Sequence, residues 1–131
     1  MHLEDIMSKP YLITLNLEKN LILFTACGPI ENELVREMRE EIVPLLKLFD
    51  EPVTLVVDMR EAEGSLLDAF EELRKLYADY EHTSISRIVR IHSDEMDNHG
   101  TGITDRFHMK GISKTRVLSM HDALKTLKIA N

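Results

Sequence analysis

The chain has 131 residues, 44% of them hydrophobic, a length at which one domain buries a real core without disulfide or metal staples. Twenty-three Asp and Glu against 16 Lys and Arg leave a net charge of -7, so the field of the molecule repels phosphate backbones and nucleic acid is not an expected ligand. A single cysteine, Cys27, cannot close an internal disulfide, and no apolar run approaches the roughly 20 residues of a membrane span.

The start, Met1-His2-Leu3-Glu4-Asp5, lacks the basic patch and apolar run of a signal peptide. A reducing cytoplasm is the expected location. Residues 1–10 read as an arm, with Leu3, Ile6 and Met7 at the spacing of one apolar face, and residues 11–131 as one domain. Tyr11 to Leu17 and Leu21 to Ala26 are strand-like, and the short Glu18-Lys19-Asn20 link predicts a hairpin with Asn20 at positive φ. Gly28-Pro29 breaks the second strand.

From Glu31, the positions Leu34, Val35, Met38, Ile42, Leu45, Leu46 and Phe49 follow a helical stripe. Pro44 lacks an amide hydrogen and clashes with the carbonyl four residues earlier, which predicts a kink or restart there. Val53 to Val57 is β-branched without polar alternation, the pattern of a central strand covered on both faces. Ser65-Leu66-Leu67-Asp68 has the form of a capping box, followed by Leu66, Phe70, Leu73, Tyr77 and Tyr80 at helical spacing.

Ile85 to Ile91 predicts a further strand. A polar stretch from His92 to Gly102 then leads to a short helical segment over Ile103 to Lys110, closed by Gly111. Thr115 to Leu118 is a last strand, and Ser119-Met120-His121-Asp122 repeats the capping pattern before Ala123, Leu124 and Leu127. The order ββαβαβαβα predicts an α/β fold: one mixed, mostly parallel sheet of about five strands with an opening antiparallel hairpin and four helices. Basic residues gather late, at Lys110, Lys114, Arg116, Lys125 and Lys128, but no aromatic side chains separate them as stacking platforms, so they read as a solvated surface.

A hairpin followed by alternating helix and strand, with the aliphatic strand ending in Asp58 before the second helix, resembles the STAS domain of the SpoIIAA-like anti-sigma-factor antagonists. The closing stretch from Arg116 to Leu124 is similar to the final strand and helix of such domains. The resemblance implies a regulatory protein-interaction module without catalysis and without a cofactor. It also implies a phosphorylation or partner-binding site at the start of the second helix, here Asp58, Arg60, Gly64 and Ser65. The Asp-Ser-Ser-Gly-like motif of the phosphorylated members is not intact. Ser65 falls about two places early in the helix start and no Ser-Gly pair follows it, so capping is its first reading.

The densest group of polar ligands is His92, Asp94, Glu95, Asp97, His99 and His108. Imidazole and carboxylate together suit a transition metal or acid-base chemistry, yet the spacing matches no ligand signature, and no metal site is assigned. Cys27 has no Cys-x-x-Cys partner and reads as a small buried residue. Two alternatives to a regulatory module stay open: a carrier or sensor of an apolar, lipid-like small molecule, and a metal- or His-dependent hydrolase built on the His92–His108 loop.

Overall fold

The computed structural model describes residues 11–64, 66–92 and 110–129. In chain order these form β1 (Tyr11–Asn16), β2 (Leu21–Ala26), α1 (Asn32–Leu46), β3 (Val53–Asp58), a 3-10 turn (Leu66–Ala69) leading into α2 (Phe70–Tyr80), β4 (Ile85–Ile91), β5 (Ser113–Val117) and α3 (Met120–Ile129). The expected arm over 1–10 and the expected short helix over 103–110 lie outside the described residues, apart from Lys110, which is in a turn.

All five strands join one sheet in the order β1-β2-β3-β4-β5. β1 and β2 are antiparallel, and the remaining pairs are parallel. The hairpin turns as its sequence predicts, with Asn20 at φ 50°. Asparagine tolerates this left-handed conformation better than most residues because its short polar side chain bonds locally.

β3 is the middle strand, and its alternation sorts the two cores. Val53, Leu55 and Val57 face α1 and α2, where Leu34, Val35, Met38, Ile42, Leu46, Leu73, Leu76 and Tyr80 complete the larger cluster. Val56 points the other way, to Val89, Ile91 and Ala123, with Leu21, Leu23, Val117, Met120 and Leu127 packed around them. Helices therefore cover both faces of β3, as its unbroken aliphatic run requires. Between α1 and α2, Arg39 reaches Glu72 at 3.4 Å and Asp79 at 3.5 Å.

Three local expectations change. α1 does not restart after Pro44; it continues to Leu46 and closes with bonds from Lys47 N to Pro44 O and from Leu48 N to Leu45 O. Proline in the last turn removes one bond there rather than breaking the helix in the middle. The second helix begins later than its capping pattern suggests, since the 3-10 turn intervenes and α2 starts at Phe70. Ala69 takes the inward position, fully buried, while Phe70 is 37% exposed. Cys27 is exposed rather than buried, because the chain has left the sheet at Ala26.

Candidate functional site at the carboxyl ends of the parallel strands

Parallel strands deliver loops to one end of the sheet, and open α/β sheets bind their ligands there. In this chain the end is stitched together by main-chain bonds between loops. Glu63 N donates to Gly28 O at 2.9 Å, and Ile30 N donates to Glu63 O at 2.8 Å, so the loop after β2 is locked to the loop after β3. Met59 N donates to Ile91 O, and His92 N donates to Val117 O, extending the same join across β4 and β5.

Asp58 ends β3 and is only 6% exposed. Two residues on, Arg60 folds against it: Nε donates to Oδ1 at 3.0 Å and Nη2 to Oδ2 at 2.8 Å, with the Arg60 backbone N–H also reaching Oδ1 at 3.1 Å. Burial alone would raise the Asp58 pKa, but the hydrogen bonds and charge of Arg60 outweigh it and hold the carboxyl below its ordinary value. The same pairing raises the Arg60 guanidinium above its ordinary value. Residues i and i+2 at a strand end project to one side, so this pair has a sequence signal in the Asp-x-Arg spacing.

Gly64 sits at φ 85°. A Cβ there would meet Ile30 N and O at an ordinary 3.9 Å, so backbone conformation rather than space demands glycine. Asp58, Arg60 and Gly64 thus share one ordered loop, while Ser65 lies outside the described residues. His92 begins the segment beyond β4 and is buried at 3% exposure; Asp94, His99 and His108 lie outside the described residues. Among the described residues no three His, Cys, Asp or Glu side chains gather as metal ligands.

Arg90, a residue without a role expected from the sequence, is 3% exposed on the α1–α2 face of β4. It lines an apolar cavity of about 50 Å³ with Met59, Tyr77 and Tyr80. The spacing of β4 gave the signal, since Ile88 and Arg90 share a face of a strand whose α1–α2 side is otherwise aliphatic. No helix among the described residues is long and apolar enough to cross a membrane.

No family model matches the chain, and no curated protein matches it. Among solved structures, it is similar to an uncharacterized protein of the DUF3478 family with a SpoIIAA-like fold from Shewanella loihica PV-4, at 22% identity and a TM-score of 0.65 over 89% of this chain and 93% of that one. It is also similar to the anti-sigma factor antagonist SpoIIAA in its unphosphorylated form, at 9% identity and a TM-score of 0.58 over 90% of this chain and 97% of that one. With its strand order, its one antiparallel pair and these two likenesses, the chain has a SpoIIAA-like, STAS-type fold.

Proposed function

We propose that this chain is a non-catalytic regulatory module that binds a protein partner through the loops at the carboxyl ends of its parallel strands. The observation that carries the reading is the Asp58–Arg60 pair. A buried carboxylate holds the guanidinium in one orientation, and Arg60 is still 39% exposed by its side chain. Nε and one Nη2 hydrogen are used on Asp58. A guanidinium has five N–H donors, so three are presented to a partner carbonyl or carboxylate at little further cost in side-chain entropy.

The antagonist SpoIIAA, to which the chain is similar, is named for acting on an anti-sigma factor, and its unphosphorylated form implies a phosphorylated one. In this chain Ser65 follows Gly64 directly and is the serine that such control would use. The cavity between the sheet and α1–α2 is about 50 Å³, far below the 300–1,000 Å³ of small-molecule pockets, which favours a binding surface over an enclosed carrier site.

Photo-crosslinking in the native host tests the reading. A crosslinking amino acid is placed at Glu61, on the exposed part of this loop, or at Leu48, exposed in the link between α1 and β3. A discrete protein adduct is expected from position 61 alone, and it disappears with Arg60→Ala. Equal adducts from both positions, or adducts indifferent to Arg60, overturn the proposal.

A further inference from the structure

At the opposite end of the sheet a second site is built from other residues. The β1–β2 turn, residues near the starts of the strands and Leu124 and Leu127 of α3 line a groove of about 610 Å³. Its lining includes three apolar side chains, Leu21, Leu124 and Leu127. Leu124 is 49% exposed there. The same groove is lined by Thr54 and Arg87, which stand opposite each other in the β3–β4 register, and by Glu18, Lys19 and Asn20.

Arg87 is the unusual member. It is half-buried, and its hydrogen bonds run only to neutral acceptors: Nε and Nη2 to Thr54 Oγ1 at 3.2 and 3.1 Å, and Nη1 to Thr126 O at 3.3 Å. Among the described residues no carboxylate pairs with it, in a chain carrying an excess of seven acidic charges, while Arg39, Arg60 and Arg74 all have acidic partners. A half-buried guanidinium without a counter-charge favours an anion strongly, because desolvation raises the value of each charge-assisted hydrogen bond. Lys19 adds a second positive charge to the lining against the single carboxylate of Glu18.

From this juxtaposition of a positioned cation and apolar side chains in one groove, we propose that the groove between the β1–β2 turn and α3 binds a small amphiphilic anion, its carboxylate or phosphate head on Arg87 and its alkyl body along Leu21, Leu124 and Leu127. The volume falls within the range of small-molecule sites. Thr54 and Thr126 fix the guanidinium before the ligand arrives, so little side-chain freedom is lost on binding. The site is separate from the Arg60 loop: Leu21 and Ala26 are the two ends of β2, and a strand of that length separates them by roughly 17 Å.

Titration calorimetry with decanoate, decyl phosphate, decanol and inorganic phosphate tests the assignment on the whole chain. At least one of the two amphiphilic anions is expected to bind about tenfold or more tightly than both decanol, which lacks the charge, and phosphate, which lacks the chain. Preference for decanoate or for decyl phosphate identifies which head the site takes. Arg87→Gln is expected to remove about tenfold or more in affinity for that anion. Leu124→Asp, at an exposed position that leaves the fold intact, is expected to abolish binding and serves as the second variant if Arg87→Gln melts early. Decanol binding as tightly as the anions, absence of binding by either anion, or an affinity unchanged by both substitutions overturns the proposal. Amide shifts confined to Thr54, Arg87 and Leu124 are expected on binding; shifts confined to the Arg60 loop overturn this site.

Discussion

Asp58 and Arg60 form a two-pronged ion pair across a single intervening residue, with the carboxylate buried and the guanidinium at the rim. The pair lowers the Asp58 pKa against the opposing effect of burial, so the folded state binds that proton less tightly than the unfolded chain does. Its stabilisation is complete above the unfolded carboxyl value of about 3.9 and is lost as pH falls through the lower folded value.

Asp58→Asn is therefore expected to cost about 1–2 kcal/mol at neutral pH, toward the low end for charged hydrogen bonds because the Arg60 side is solvated. Denaturant melts of both proteins across acidic pH check this. The difference between them should stay level above about pH 5 and shrink below about pH 4. A gap independent of pH would remove the charge from the explanation.

Val56→Asp is expected to abolish stable folding. Val56 is 3% exposed between β3 and α3, against Val89, Ile91 and Ala123, apolar surroundings that would strip a carboxylate of its water. Burying it costs more than about 3 kcal/mol, a large share of the 5–15 kcal/mol typical of a domain. A cooperative melt close to that of the parent chain would show that the second face of the sheet is not closed by α3.

Gly64 and Gly111 both have φ near 80°, at 85° and 80°. Neither is crowded: the nearest atoms to a Cβ at Gly64 are 3.9 Å away, and nothing lies within 4 Å at Gly111. Each Gly→Ala change is expected to cost about 1–2 kcal/mol from conformation alone, and Gly→Asn less. Thermal melts of the four single variants decide it; a much larger loss at Gly64 than at Gly111 would mean that contacts with Ile30 matter after all.

Tyr11 and Tyr80 should keep their protons in the native state well past the usual tyrosine value of about 10. Burial is the leading cause in both. For Tyr11 the hydrogen bond to Glu41 and its charge add to it, and for Tyr80 the neighbouring Tyr77 and Asp79 add to it. Because the folded pKa values are raised, the associated stability is full below about pH 10 and is lost as pH rises above it. Tyr11→Phe and Tyr80→Phe are each expected to leave the native tyrosinate absorbance unchanged up to about pH 11; a lower signal in either variant would place that phenol in contact with water.

Strands were legible wherever apolar composition and face alternation agreed: Val53 to Val57 read as a central strand because nearly every side chain in it is apolar, and it is one. The start of the second helix was not, since Ser65-x-x-Asp68 carries a capping signal that says nothing of the tighter 3-10 turn through Leu66–Ala69. After that turn Ala69 takes the fully buried position, and Phe70, an obvious core candidate by composition, is left 37% exposed. Cys27 misled for a related reason: one residue past a strand end, the strand's alternation no longer governs which way a side chain goes.

Of the site residues, Asp58, Arg60 and Gly64 stood in the sequence as neighbours but without their geometry. Their meaning depends on Gly28 and Ile30, which clamp Glu63 from the loop after β2. Arg87 carried no signal at all. Its lack of a counter-charge among the described residues is a property of three elements meeting, Thr54 from β3, Thr126 from α3 and the guanidinium from β4.

Sequential strand order has a consequence for synthesis on the ribosome. Each strand pairs with the strand made just before it, so the sheet can lengthen at one growing edge as the chain emerges. The α1–α2 face finds its cover along the way, because both helices are made between the strands they pack on. The opposite face waits. Leu21, Leu23, Val56, Val89 and Ile91 are all translated before Met120 begins the helix that shields them. A nascent chain stalled between Ile91 and Met120 would therefore display a greasy half-built surface to its neighbours, which makes α3 the segment whose late arrival separates productive folding from co-translational aggregation.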